Sequence, residues 1–276
     1  MTVQGAYGLI VSGLDAESPW LMPAAPPTAR LAIRRQPWRP KPLPDVAGAR
    51  FTLTIDPQCR LRIEREPATL TVESEAPVPD HLVVHPYLSY AAAMCAQWDG
   101  SVALHAGVVA IDGRAWVLLA DSSGGKSSLL ASLAERRLTV LSDDLAIIDT
   151  DRTVRTGPRC VDLRPSAFLA LKPTGQVTST RGRSRLTLGP APPCLPLGGF
   201  VALRWGPAPA VEHVGVAERS RILVESRTAW GPASATWLLE ILDAPFLTLS
   251  RPRDFSTIDE TITAFVAGVR GQPSRL

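Results

Sequence analysis

The sequence is poor in lysine, and its basic and acidic residues nearly balance. Only three of its 29 basic residues are lysines, Lys41, Lys126 and Lys172, and the formal net charge is +3. So small a net charge argues against bulk electrostatic binding of nucleic acid. The sequence also lacks an apolar run long enough to span a membrane. We therefore expect neither a nucleic-acid nor a membrane partner, and a lysine retained in so arginine-rich a chain becomes a candidate functional residue.

The cysteines of the sequence form no close pairs, and its N-terminal residues do not predict a secretory signal. Its four cysteines form no Cys-x-x-Cys pair, which argues against a zinc knuckle or a redox dithiol. We expect buried free thiols at Cys59, Cys95, Cys160 and Cys194. The N-terminal residues show no basic segment followed by an apolar one, so no secretory signal is evident. These features predict a cytoplasmic protein, since thiols stay reduced in the cytoplasm. Self-association into a homo-oligomer stays open.

The chain of 276 residues, 45% hydrophobic and 20% charged, is typical of a globular protein with one large domain, or a domain plus a smaller lobe. Residues 1–85 alternate apolar and polar side chains in short runs, which predicts a β-rich N-terminal lobe. Strands are predicted at 7–11, 29–34, 51–55, 60–64 and 69–72. Eight prolines between Pro19 and Pro44 confine that stretch to sheet edges and irregular loop.

Residues 86–276 form a second predicted domain of the α/β class. After a helix at 86–98, an Asp112-Gly113 turn separates strands 103–111 and 115–119, which favours a hairpin. A Gly- and Ser-rich turn, an amphipathic helix at 128–136 and a strand at 138–141 complete a βαβ unit, whose strands should be parallel with a right-handed crossover. Further strands are predicted at 145–148, 160–163, 199–204 and 246–249. A C-terminal helix begins at Ser256, capped by that hydroxyl together with Asp259.

The turn of the βαβ unit carries the strongest motif. It reads Ala120-Asp121-Ser122-Ser123-Gly124-Gly125-Lys126-Ser127-Ser128 and matches the phosphate-loop template G-x-x-x-x-G-K-[ST] except at Ala120. In such a loop Lys126 reaches the β and γ phosphates, and the Ser127 hydroxyl ligates Mg²⁺. A Gly-Ser turn containing a lysine by chance is the alternative, but a strand ends before it and an amphipathic helix begins after it. We therefore predict that these nine residues bind ATP with Mg²⁺.

Two adjacent carboxylates, Asp143 and Asp144, follow Lys126 by 17 and 18 residues, at the end of the next strand. One carboxylate can hold Mg²⁺, and the other can accept a proton from an attacking hydroxyl. A solvated acidic pair at a strand end is the alternative. Two adjacent like charges without a cation are mutually unfavourable, so the pair favours a metal site.

Four segments together resemble a known family. The run Leu104-His105-Ala106-Gly107-Val108-Val109, the Gly-Lys-Ser loop, the Leu141-Ser142-Asp143-Asp144 segment and Val161-Asp162-Leu163-Arg164 resemble, in order and spacing, the catalytic domain of HPr kinase/phosphorylase. The similarity is sharp over residues 104–165. It implies a phosphate-loop fold of the HPr kinase and phosphoenolpyruvate carboxykinase type for residues 86–276, and a Mg-ATP-dependent kinase that phosphorylates serine.

The resemblance also implies roles for individual residues. Asp143 would be the general base, Asp144 would serve the metal, and Asp162 stands at a metal-site glutamate of the family. His105 matches the family's active-site histidine. Without the resemblance, a single histidine at this position is better explained as a residue of the core. Asp162 and Arg164 share one strand face, which is equally consistent with an ion pair.

The chain departs from the family after Arg164, where Pro165 and Ser166 replace the glycine-rich remainder of the signature. That remainder is associated with the phosphorolytic reaction, so we expect a kinase with little phosphorylase activity. Divergent proteins of this type are known from clusters that make ribosomal peptides such as lasso peptides, so a serine-containing protein or precursor peptide is the expected acceptor. A small-molecule kinase and an inactive nucleotide-binding module that holds a partner are the alternatives.

Three other features are weaker candidates. His81 and His85 have the i, i+4 spacing of a metal pair, but the segment looks extended and lacks a third ligand. The segment at residues 178–185 carries three arginines in a predicted loop, which is either solvated or a clamp for phosphate or substrate. Arg251 and Arg253 follow a predicted strand and could reach the same cleft.

Overall fold

The computed structural model describes residues 3–24, 29–38, 48–228 and 236–272. Within these ranges the protein is a mixed α/β structure with several sheets, as predicted. The first sheet contains β1 (Gln4–Ala6), β2 (Leu9–Ser12), β3 (Met22–Pro23), β4 (Ala29–Pro37), β5 (Arg50–Asp56), β6 (Cys59–Glu64) and β7 (Thr69–Ser74), in the order β3-β1-β2-β4-β7-β6-β5.

Two predictions for this sheet are wrong. Strand β4 is central, between β2 and β7, although it belongs to the proline-rich stretch that was predicted to lie at edges and in loops. The prolines flank the strand, and Pro37 stands at its last position, so they remove no hydrogen bond from its interior. The predicted strand 7–11 begins only at Leu9, because Tyr7 and Gly8, both with positive φ, form the turn between β1 and β2.

The connection to the second sheet is helical but broken. It consists of α1 (Asp80–Leu82), a π-helical turn at Val83–Tyr87 and α2 (Leu88–Trp98). Within the turn, His85 has extended backbone angles, and the bond from His85 to Pro86 is cis. Helix α2 therefore begins at Leu88 instead of Pro86. Its buried alanines, with Leu88, join a core that runs from the first sheet to Ala103, Leu145 and Ile147.

The remaining elements follow in chain order. They are β8 (Val102–Leu104), β9 (Ala106–Ile111), β10 (Arg114–Leu119), α3 (Lys126–Glu135), β11 (Val140–Ser142), β12 (Ala146–Ile148), β13 (Thr153–Arg155), β14 (Cys160–Leu163), α4 (Pro165–Leu171), β15 (Val177–Thr180), β16 (Arg183–Thr187), β17 (Cys194–Trp205), β18 (Ala210–His213), α5 (Val216–Glu225), α6 (Thr236–Ile241), β19 (Phe246–Arg251) and α7 (Ile258–Arg270). Strands β14, β16 and β15 form a small third sheet, and the other strands of this set form the nine-stranded second sheet.

The predicted βαβ unit is present in the second sheet, with one strand inserted. Strands β10 and β11 are each antiparallel to β9, which lies between them, so they run parallel to each other as expected. The predicted strand 103–111 is broken at His105, because β8 pairs with β12 whereas β9 pairs with β10 and β11. This break leaves the His105 side chain exposed between two buried strands.

The C-terminal helix and the cysteines also differ in detail from expectation. Helix α7 begins at Ile258 and buries Ile262, Phe265 and Val269, but Ser256 does not cap it. Instead Ser256 belongs to a preceding 3₁₀ turn, Phe255–Thr257, and Asp254 caps that turn. All four cysteines are free, and Cys194 is exposed instead of buried. Among the described residues, no helix has the length and apolarity that crossing a membrane requires.

Gly107 sets how closely α3 packs on the second sheet. A Cβ atom at this position would lie 2.5 Å from Leu130 Cδ1 and 3.3 Å from Lys126 Cγ, both on α3. We therefore expect Gly107→Ala to lower the free energy of unfolding by about 1–3 kcal/mol through overpacking. Gly189→Ala is the control, because a Cβ there meets no atom within 4 Å. Equal denaturant midpoints for the two variants would contradict the close packing of α3.

Candidate functional site

The loop at residues 120–128 connects the end of β10 to the first turn of α3. Ser123 and Gly125 have left-handed backbone angles, and Gly125 directly precedes the helix. Ala120 has no positive φ, so the missing glycine of the template causes no backbone strain here. A Cβ on Gly124 would lie 2.7 Å from Ala120 Cβ, so these two positions tolerate only one side chain.

Arg251, at the end of β19, holds this loop from behind. Its side chain is buried, and Nη2 donates a hydrogen bond of 2.6 Å to the Gly124 carbonyl. Its guanidinium lies 4.3 Å from the centre of the Trp205 ring, at the end of β17. A Cβ on Gly125 would lie 2.7 Å from Arg251 Nη2 and 2.9 Å from Trp205 Cη2. The two strand ends therefore fix the shape of the loop.

The loop forms the floor of a cleft of about 450 Å³. Lys126 lines it, although its side chain is mostly buried, and burial lowers the pKa of Lys126 below its ordinary value. The other charged side chains that line the cleft are Asp121, Asp144, Asp162, Arg164, Arg183 and Arg253. All nine predicted loop residues except Ala120 line this cleft.

Asp143 lies beneath the floor of the cleft. It is 2% exposed, and its Oδ1 accepts hydrogen bonds from Ser127 Oγ at 3.0 Å and from the Asp144 amide at 3.1 Å. Burial, followed by the charge of Asp144, raises the pKa of Asp143 well above its ordinary value. A carboxylate in this position is anchored to the helix start and shielded from a second substrate.

Asp144 faces the cleft instead. Its backbone has a positive φ of 73°, and its side chain is 37% exposed. The Asp144 carbonyl lies 3.0 Å from His105 Nδ1, and the His105 amide donates to the Ser226 carbonyl. Desolvation, and then the charge of Lys126, lower the pKa of His105. His105 thus lies at the mouth of the cleft beside Asp144, where the break between β8 and β9 exposes it.

Asp162 forms an ion pair, but with Arg185 and not with Arg164. Arg185 is fully buried and binds both Asp162 oxygens, with Nε and Nη2 at 2.7 and 2.8 Å. Desolvation alone would raise the pKa of Asp162, but these hydrogen bonds hold it below its ordinary value. Arg164 stays exposed and lines the cleft.

The predicted loop at 178–185 is a β-hairpin, so that prediction is wrong. Strands β15 and β16 pair across Arg181 and Gly182, whose left-handed angles form the turn. Arg183 and Arg185 are two residues apart and so lie on the same face of β16, but Arg183, next to the turn, lines the cleft, whereas Arg185, farther along the strand, is buried. Sequence alone gave no sign of this difference, since the segment was predicted as one loop, either solvated or a clamp for phosphate or substrate.

The site also contains His85, which was only a weak candidate from the sequence. His81 and His85 do not form a metal pair on a helix, since the backbone breaks at His85. His85 is 1% exposed, its Nε2 lies 3.4 Å from Asp144 Oδ2 and 3.8 Å from Asp162 Oδ2, and its Nδ1 has no hydrogen-bond partner in the described structure. Desolvation lowers the pKa of His85, which keeps it neutral at pH 7. Only the folded chain brings it to the carboxylates.

Several of these groups suit a divalent cation. Ser127 Oγ and the two adjacent carboxylates are hard oxygen donors of the kind that Mg²⁺ prefers. Donor atoms of His85, Asp143 and Asp144 lie within 4.8 Å of one another. Burial, and then the charge of Asp144, raise the pKa of Asp143, and a bound cation would oppose both effects. Asp162 suits a metal less well, because Arg185 already engages both of its oxygens.

The chain is similar in structure, but not detectably in sequence, to known proteins. No family model matches the chain, and no curated protein matches it. Among solved structures, it is similar to the HPr(Ser) kinase/phosphatase from Coxiella burnetii, with a TM-score of 0.32 and 9% sequence identity. The alignment covers 61% of this chain and 93% of that one. Function must therefore be inferred from the cleft itself.

Arg185 allows a test of the structure around the site. It also donates to the carbonyls of His81 and His85, so Arg185→Ala would leave the half-buried Asp162 carboxylate and two carbonyls without these partners. We expect this variant to lose about 3–5 kcal/mol of unfolding free energy. Arg183→Ala, two residues away but exposed, should change it by about 0.5 kcal/mol or less. Urea titrations of both variants measure the difference, and similar losses would contradict the buried pair.

Proposed function

We propose that this protein is a Mg-ATP-dependent kinase that transfers the γ phosphate to a serine hydroxyl on a protein or peptide. The observation that carries this proposal is the hydrogen bond of 3.0 Å between Ser127 Oγ and Asp143 Oδ1. It joins the start of a helix after a Gly-rich loop to a pair of carboxylates, with Lys126 between them. Phosphate, metal and acceptor hydroxyl can all meet in such a place.

The loop would bind the phosphates of ATP. Backbone N–H groups at the start of α3, together with the helix dipole, favour negative charge there. Lys126 adds a formal positive charge that is partly desolvated, which strengthens its attraction to phosphate oxygens. Ser122, Ser123 and Ser128 line the same floor and can donate further hydrogen bonds.

Ser127 and Asp143 would hold Mg²⁺, directly or through water. When bound, the ion neutralises charge on the β and γ phosphate oxygens. Asp143 suits this task because its hydrogen bond to Ser127 fixes both groups, and its burial keeps it away from the acceptor. In this proposal the two aspartates exchange the roles that the family resemblance implies, and Asp162 acts through its ion pair with Arg185.

Asp144 would be the general base. It is the carboxylate of the pair that lines the cleft, so an acceptor hydroxyl can approach it without displacing other side chains. Asp144 takes the serine proton while the serine oxygen forms a bond to the γ phosphorus. The bond from that phosphorus to the β–γ bridging oxygen breaks, and ADP leaves. Lys126 remains charged throughout, and His105 holds the Asp144 backbone in place.

The first test removes the lysine. Lys126→Ala should weaken ATP binding and abolish phosphate transfer, because the structure places no second lysine in the cleft among its described residues. Lys172→Ala, at an exposed position after α4, is the matched control. Calorimetry with ATP and Mg²⁺, and transfer of labelled phosphate, measure the two effects. Unchanged affinity and turnover in Lys126→Ala would falsify the assignment of the loop.

The second test separates the two aspartates. Asp144→Asn should lower transfer by roughly 10²–10⁴, the usual contribution of a positioned general base, while ATP affinity stays the same. Asp143→Asn should mainly raise the Mg²⁺ concentration needed for half-maximal transfer. Single-turnover rates at several Mg²⁺ concentrations distinguish these effects. If each variant shows the behaviour expected of the other, the roles follow the family resemblance after all.

A further inference from the structure

The cleft has two chemically different ends. One end carries the carboxylates of Asp144 and Asp162 with Arg164 and Arg183. The other end is formed by Trp205, Arg253 and Phe255, which also line a small neighbouring recess together with Asp254. The Gly-rich loop lies between these ends, so a molecule whose phosphates sit on the loop extends toward one of them.

The first turn of α3 shows which direction leads away from the carboxylates. Ser127 points to Asp143, whereas its neighbour Ser128 lines a small recess with Trp205 and Phe255. Successive residues of an α-helix are rotated by about 100°, so two adjacent serines can face the two ends of the cleft. Leu129 and Ile258 also line this recess, so part of its surface is apolar.

The three side chains at this end are suited to a flat aromatic group. Phe255 is 36% exposed although it is a large apolar residue. The Arg253 guanidinium lies 5.0 Å from the centre of the Trp205 ring, and the residue is exposed. Aromatic rings and guanidinium planes both stack on nucleic-acid bases. Trp205 is held in place by Arg251, which binds the loop itself.

We infer that Trp205, Arg253 and Phe255 form the subsite for the purine base of the phosphate donor. The inference rests on the proposed kinase function and deepens it, since it makes the donor a nucleotide and not an inorganic polyphosphate. The opposite end must stay open for the acceptor hydroxyl, because Asp144 lies there. With the base at Trp205, the triphosphate runs along the loop and its γ phosphate ends beside Asp144 and Lys126.

The experiment compares a ligand with a base and one without. ADP and inorganic tripolyphosphate, each with Mg²⁺, are titrated calorimetrically into the wild-type protein and into Trp205→Ala, Arg253→Ala and Phe255→Ala. Loss of one stacking partner costs about 1–3 kcal/mol per base, which corresponds to a roughly 5- to 150-fold weaker affinity. We expect a loss in this range for ADP in Trp205→Ala, smaller losses in the other two variants, and a larger loss for ADP than for tripolyphosphate in each of the three.

The controls distinguish a base subsite from a purely structural role. Trp205→Phe keeps an aromatic ring and should recover most of the ADP affinity. If Trp205→Ala loses ADP and tripolyphosphate affinity equally, Trp205 acts through Arg251 and the loop, and the inference is wrong. It is also wrong if all three variants bind ADP as the wild type does. If the wild type binds neither ligand, or if Lys126→Ala binds both unchanged, the proposed function fails instead.

Discussion

The hydrogen bond between Ser127 and Asp143 is the contact on which the rest of the site depends. It links the first turn of α3 to the residue that follows β11. Backbone hydrogen bonds of the sheet do not join these two segments. Because Asp143 is almost fully buried, the bond forms in a medium of low polarity, where a hydrogen bond is stronger than in water. The distance between the Gly-rich loop and the carboxylates is thereby fixed, and Asp144 is left to face the cleft.

Contacts from the first sheet and the linker support this arrangement from behind. The Tyr7 hydroxyl lies 3.3 Å from Ser89 Oγ and 3.2 Å from Ser142 Oγ, and Ser142 directly precedes the aspartate pair. Arg185 connects Asp162 to the backbone of the broken helix around His85. The carboxylates are therefore positioned by residues from β1–β2, the linker, β11, β14 and β16.

The sequence predicted the parts of the fold that depend on local patterns. The strand, Gly-rich turn and helix around Lys126 were predictable from local patterns. Apolar residues follow the pattern of a strand before the glycine pair and that of a helix after it. The centrality of β4 and the break at His105 were not, since both depend on which strands become neighbours. The same holds for the site: Lys126, Asp143 and Asp144 stand in motifs, whereas His85, Arg185 and Trp205 are brought there by tertiary structure. Arg183 and Arg185 share one face of β16 and differ in their distance from the hairpin turn, which the sequence did not reveal because the segment was predicted as a loop.

The break in the linker has a consequence for how the chain could be divided. The boundary predicted between residues 85 and 86 falls at His85, whose imidazole lies against Asp144 and whose carbonyl binds Arg185. Cutting there would open the continuous core shared by the first sheet, α2, Ala103 and Ile147. The N-terminal sheet thus lies behind the carboxylates, and none of its described residues lines the cleft. A fragment without it would lose contacts that support those carboxylates, such as that of Tyr7 with Ser142. Any relative that exchanged this sheet for another would have to replace those contacts.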